Sequence, residues 1–323
     1  MNYIQLAFSF FITVIIVFGS LLNVFEDYLP IVFVQAFRYG KFEVKGRTKS
    51  KLVQELPKSY FRHFYRLALI IQTYVFYLVV SVYLFNAELP NWIEDLLNLS
   101  CGNDRTAHTN ATKVFVATVL FTLQVYRRFY DTHFVSIFGK NSKINLGQYI
   151  LGIVHYPFSD IAILCEAPKF ALSGKRSNKK KKIKNSKYII FISDLEYSKV
   201  NLLELNGIEI LSVIMFLWAW SHQHVCTKIL ANLRKNKRGD VVTDDHKLPQ
   251  GDWFKYLSCP HQTAEILMYL SLTIILRHNI TWFFVFGWVL SNQVETILLS
   301  HWWYQSHFDK FPRERKALIP FIY

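Results

Sequence analysis

The chain has 323 residues, 52% hydrophobic and 17% aromatic, with only 19% charged and a formal net charge of +14. A soluble domain carries about 25% charge, and here the apolar residues gather into long runs, which excludes an ordinary soluble enzyme. No stretch between those runs is long enough to fold as the basic soluble domain that nucleic-acid binding needs.

A hydrocarbon core about 30 Å thick asks for about 20 consecutive apolar helical residues. Residues 4–25 (IQLAFSFFITVIIVFGSLLNVF) carry no charge. They lack the basic leader and small-residue cleavage site of a secretory signal, so they read as a retained helix. The same argument selects 67–85, 210–221 with 202–209 leading in, and 280–294. Shorter or polar-interrupted runs at 114–126, 144–164 and 266–276 bring the expected count to seven, give or take one. The expected fold is therefore all-α and polytopic.

Between the runs, 26–66 carries Arg38, Lys41, Lys45, Arg47, Lys49, Lys51, Lys58, Arg62 and Arg66. The positive-inside rule puts it in the cytosol and the N-terminus in the lumen. The next loop, 86–112, is acidic at Glu88, Glu94 and Asp95 and holds the sequons Asn98-Leu-Ser and Asn110-Ala-Thr, which need lumenal exposure to be used. Alternation then places Arg127 and Arg128, the loop 225–264 and the C-terminal tail in the cytosol. The most basic run, GKRSNKKKKIKNSK at 174–187, breaks the pattern, since strict alternation assigns it to the lumen. Either the fourth span is re-entrant or this run is a lumenal insertion, in both cases a solvated loop.

Cys101, Cys165, Cys226 and Cys259 are too few and too scattered for a disulfide framework, and no CxxC pair suggests zinc. His222, His224 and Cys226 alternate along a helix and point in different directions, so no metal site is expected. The chain also lacks GxGxxG, the P-loop, GxSxG and HExxH. Polar residues in or beside the spans are costly in lipid and become the functional candidates. Glu55, in QELP just before the second run, reads either as a proton donor or as an acid favoured at a helix start. Tyr126, Arg127, Arg128 and Tyr130 read either as a functional cluster or as snorkelling arginines in an aromatic belt. Arg234, Lys235, Lys237 and Arg238, ahead of a helix entry near Glu265, suit a phosphate-rich ligand or ordinary cytosolic charge. His301 and Tyr304 stand about one turn apart on one helix face.

LRKNK at 233–237, LPQGDWFKYLSCPHQTAEILMYLSL and the terminus LSHWWYQSHFDKFPRERKALIPFIY resemble the C-terminal domain of the steroid 5α-reductases. FRYGK at 37–41, LPKSYFRHFY at 56–65, VYRRFYDTHFVSIFG and SHQHVCTKILANLRKNKRG resemble the polyprenol-reducing branch of that family, in the same order. The resemblance implies a seven-helix fold in the endoplasmic reticulum membrane, with residues 1–140 forming a substrate cavity and 141–323 an NADPH-binding domain. It also implies hydride delivery to a carbon–carbon double bond of a long-chain isoprenoid, saturating its α-isoprene unit on the way to the dolichol used in N-glycosylation. Carried over by position, Glu55 is the catalytic carboxylate, and the cofactor contacts fall on Arg234, His246, His261, Glu265, His301 and Tyr304. Where steroid-reducing members have a catalytic tyrosine, this chain has Val125 with Tyr126 beside it, so Tyr126 is the second catalytic candidate. His246 replaces a tyrosine, His261 an asparagine, and Thr296 an arginine. The rival readings are a 4-ene steroid reductase, a membrane methyltransferase of the isoprenylcysteine type, and a seven-helix receptor or channel. Hydride chemistry favours an aldehyde over an allylic alcohol as substrate, because only the aldehyde yields an enolate whose oxygen accepts a hydrogen bond.

Overall fold

A computed structural model describes residues 1–38, 40–42, 50–139, 142–171, 199–236, 238–243 and 245–319. The basic run 174–187 lies outside the described residues. The chain is mainly helical: α1 (Tyr3–Phe25), α2 (Ile31–Phe37), α3 (Phe61–Leu84), α4 (Asn91–Cys101), α5 (Ala111–Tyr130), α6 (Leu146–Leu164), α7 (Gly207–Asn232), α8 (Pro260–Ile275) and α9 (Ile280–His307). Asparagine opens five of them. Asn2, Asn110, Asn145, Asn206 and Asn279 each accept a first-turn backbone N–H through the side-chain oxygen, satisfying a donor the helix itself cannot pair. At α7 the cap is reciprocal, since Glu209 accepts the Asn206 backbone N–H. A proline in the first turn starts α8 instead.

Three stretches, Tyr3–Tyr28, Lys58–Leu84 and Ile280–His307, are long and apolar enough to cross a bilayer, and the chain is a membrane protein. Among the described residues, length and composition alone thus mark three of the seven expected crossings. The other four expected segments are helices too. However, α8 has only 16 residues, and α5, α6 and α7 are diluted by polar side chains that the fold buries, among them Gln124, Arg127, Asp160 and Gln223.

The helix ends sort into two faces. On one, Asn2 donates to Thr281 Oγ1 at 2.9 Å, and the Glu166 carboxylate after α6 accepts from the Ile280 and Thr281 backbone at 2.9 and 2.8 Å. Lys113 at the start of α5 meets the buried Glu209 at the start of α7 at 2.8 Å. The starts of α1, α5, α7 and α9 and the end of α6 therefore share this face. On the other, β1 (Glu55–Pro57), just before α3, pairs antiparallel with β2 (Lys143–Asn145), just before α6, with Glu55 opposite Asn145. Leu257, ahead of α8, forms a bridge with Lys316 beyond α9. The interior between the faces is aromatic. Tyr269 and Trp282 stack at 5.9 Å with Phe121 edge-on to both. At Gly152 on α6, the missing side chain lets the Phe64 ring of α3 come close to the helix backbone.

Candidate active site

A cavity of about 540 Å³ opens on the face that carries the strand pair and reaches toward the aromatic interior. Its mouth is polar and cationic, formed by Lys58, Gln148, Arg234, His246 and Lys247, and its inner wall includes Phe61, Phe64, Tyr65, Leu151, Tyr156 and Trp288. The entrance of α8 lies in the wall through Cys259, His261, Gln262 and Glu265. No side chain caps that helix start, so its partial positive charge is available to an anion. Gln262 Oε1 is buried in the same wall with no hydrogen-bond partner among the described residues.

Of the residues expected to contact a cofactor, the cavity brings together Arg234, His246, His261, Glu265 and Tyr304. Arg234 is held by the Ile137 carbonyl, which accepts from Nη1 at 2.6 Å. Glu265 is gripped by amides: Gln223 Nε2 donates to its carboxylate, Gln124 Nε2 does so at 3.3 Å, and Gln223 Nε2 also donates to the His261 carbonyl at 2.9 Å. Arg127 locks that pair by donating to the side-chain oxygens of Gln124 and Gln223. Tyr304 stacks on Phe311 at 6.4 Å, which seats the C-terminal tail behind the cavity. There Arg315 lies over the Phe311 ring, and burial pushes its guanidinium below the ordinary arginine value. His301 is outside the lining; its Nδ1 lies 2.7 Å from the Oγ of Ser258, the residue before the lining Cys259.

Glu55 and Tyr126 are also outside the lining. The Glu55 carboxylate meets Lys143 Nζ at 3.1 Å across the strand pair. Tyr126 lies on an exposed face of α5, its hydroxyl 2.8 Å from Thr73 Oγ1.

The residues that stand where Tyr126 was expected are Tyr65 and Arg128, both in the lining. Arg128 Nε and Nη2 donate to the Tyr65 hydroxyl at 3.1 and 2.8 Å, and its guanidinium lies 4.9 Å from the Tyr65 ring centre. Two such bonds occupy the phenol's lone pairs. Its own proton has no acceptor among the described residues. The snorkelling reading of the two arginines therefore fails: the last turn of α5 packs between α3 and α7, and Arg127 is only 6% exposed. Sequence reasoning passed over Tyr65 because FRHFYRL reads as a helix entering lipid. Its signal was its place on the buried face of α3, with Phe64 and Ala68.

The family model for 3-oxo-5-alpha-steroid 4-dehydrogenase matches residues 183–323. Over nearly its whole length, 99%, the chain is 38% identical to the polyprenal reductase of Drosophila melanogaster, covering 93% of that protein. It is 31% identical to the polyprenal reductase of Homo sapiens, over 90% of this chain and 86% of that one. Against the polyprenal reductase of Xenopus tropicalis it is 33% identical, over 90% and 88%. With likenesses of this length and level, the chain belongs to the polyprenal reductase family of steroid 5α-reductase-like proteins.

Proposed function

We propose that this chain is an NADPH-dependent oxidoreductase that saturates the α-isoprene double bond of polyprenal to give dolichal, and so supplies dolichol for protein N-glycosylation. The observation that carries the reading is a single cavity joining a cationic mouth to an apolar wall with a tyrosine donor between. The donor set fits a dinucleotide. Arg234 and Lys247 offer charge-assisted bonds to phosphate, the α8 entrance offers backbone dipole, and Gln262 Oε1 offers an unused acceptor. His246, His261, Glu265 and Tyr304 complete that side, with His301 supporting it through Ser258. When bound, the reduced nicotinamide supplies the hydride.

The chain's own residues supply orientation and a proton. Phe61, Phe64, Leu151 and Trp288 suit an isoprene chain. Hydride addition at the β-carbon of an enal moves charge onto the carbonyl oxygen, where a positioned donor is most valuable. Tyr65 is placed to be that donor. Arg128 directs the phenol proton into the cavity and stabilises the charge left on the phenol as the proton moves.

The same reading sets the protein in the endoplasmic reticulum membrane with seven crossings, the N-terminus lumenal and the cavity mouth and C-terminus cytosolic. The alternating helix ends and the basic loop 26–66 support it. Residues 1–140 then supply the Tyr65 and Arg128 wall, and 141–323 most of the cofactor side. The deciding experiment gives purified protein polyprenal with NADPH, NADH or S-adenosylmethionine and resolves products by mass. A product heavier by two hydrogens, formed with NADPH, is expected; methyl transfer, or no consumption of cofactor, would overturn the proposal.

A further inference from the structure

Far apart in sequence, Cys101 ends α4 and Cys165 follows the last turn of α6. The fold brings them together. Both are buried, they are close enough to shift each other's titration, and both line a second cavity of about 230 Å³ on the face opposite the active-site mouth, where Cys165 Sγ donates to the Ala162 carbonyl at 3.4 Å. The segments carrying them are held in register. The Glu166 carbonyl accepts from the His108 N–H at 3.0 Å and from Thr109 Oγ1 at 3.2 Å. Arg105 spans the gap, donating to the Gly102 carbonyl at 2.9 Å and the Phe170 carbonyl at 3.2 Å. Cys226 and Cys259 are buried elsewhere, in the half of the molecule that carries the active site.

We infer that Cys101 and Cys165 form a disulfide that staples α4 to the end of α6 on the lumenal side. The inference uses the orientation proposed above but not the reaction. As the chain folds and before the two thiols are buried, one of them as its thiolate displaces one sulfur of a protein disulfide oxidant, forming a mixed disulfide, and the other then attacks the chain's own sulfur in that bond and releases the oxidant as its dithiol. The pair loses two protons and two electrons, and the oxidant carries the electrons away. The lumenal compartment holds such oxidants and the cytosol does not favour the product.

The test is a peptide map of full-length protein, quenched with N-ethylmaleimide before denaturation. A cross-linked peptide joining Cys101 to Cys165 is expected, lighter by two hydrogens than the sum of the separate peptides, with Cys226 and Cys259 alkylated. Reduction should lower Tm by roughly 5–10 °C, and in Cys101→Ser and Cys165→Ser reduction should lower it no further. Alkylation of both Cys101 and Cys165 in the wild-type protein overturns the staple, even if the serine variants do not fold. Free thiols together with a glycan at Asn98 would refute the pairing alone; free thiols with loop 86–112 labelled from the cytosol would refute the orientation as well. Neither outcome bears on polyprenal turnover, which is measured separately.

Discussion

Tyr65→Phe isolates the proposed proton donor, because it removes one oxygen and leaves the ring that lines the cavity. Losing a donor aimed at developing negative charge lowers kcat by roughly 10²–10³. The substitution also strips Arg128 of the acceptor it holds at 2.8 and 3.1 Å, and an unsatisfied buried donor costs roughly 1–3 kcal/mol of stability. Steady-state kinetics with polyprenal and saturating NADPH, alongside thermal unfolding, separate the two effects. The expected result is a large fall in kcat with KM for both substrates within about three-fold, since only an interaction made in the transition state is lost. Tyr126→Phe and Glu55→Gln supply the comparison, at the positions to which the family's motifs point. Their side chains sit outside the cavity wall, on Thr73 and Lys143, so both should retain kcat within about ten-fold, below the loss expected for a donor. A Tyr65→Phe enzyme that keeps its turnover, or a greater loss in either comparison variant, would refute the assignment.

Gly152→Ala should destabilise the fold by about 1–3 kcal/mol through overpacking, because its Cβ would fall 2.6–2.9 Å from buried Phe64 ring atoms; Phe64→Leu in the same chain should restore part of the lost Tm, and an unchanged single variant contradicts the close packing. Arg234→Ala should raise the KM for NADPH roughly ten-fold or more with kcat little changed, as expected for loss of uniform binding; an unchanged KM removes Arg234 from the cofactor site. An endoglycosidase-sensitive mobility shift should depend on Asn98, because Asn110 uses its amide on Glu204 and caps α5, and Asn279 is fully buried. A shift that survives Asn98→Gln and disappears in Asn110→Gln reverses that order.

The fold could be read from the sequence wherever burial in lipid set the pattern. The uncharged run 4–25 became α1 almost residue for residue. Boundaries failed where helices leave the hydrocarbon: the run 280–294 continues as helix to His307, and the expected loop from 225 is helical to Asn232. Nothing local stops either helix, and polar residues beyond the apolar stretch face the cavity or water. In loop 86–112, α4 went unread although Ile93, Leu97 and Cys101 repeat every four residues on one buried face. The strand pair was invisible for a different reason, since Glu55–Pro57 finds its partner only after α3 and α5 have returned the chain to Lys143–Asn145. The site divided along the same line. Motifs contiguous in sequence pointed to Arg234, His261 and Glu265, which the cavity gathers. The Tyr65–Arg128 pair and the Cys101–Cys165 pair depend on helix contacts that no spacing rule reveals.

The Tyr65–Arg128 pair also sharpens which oxidation state the enzyme takes. Hydride added to an allylic alcohol leaves a carbanion with no carbonyl to share its charge, so a donor fixed by Arg128 has nothing to act on. With the aldehyde, charge reaches an oxygen, and each well-placed donor contributes roughly 10²–10³ in rate. Purified protein with NADPH should therefore reduce polyprenal at least about 100-fold faster than polyprenol, and Tyr65→Phe should narrow that ratio by slowing the aldehyde alone. Any saturation of the alcohol in whole membranes would then depend on separate dehydrogenases that interconvert alcohol and aldehyde. Rapid conversion of polyprenol to dolichol by the purified chain, with no aldehyde detectable and no second enzyme present, would show that charge need not reach an oxygen and would remove the reason for the donor.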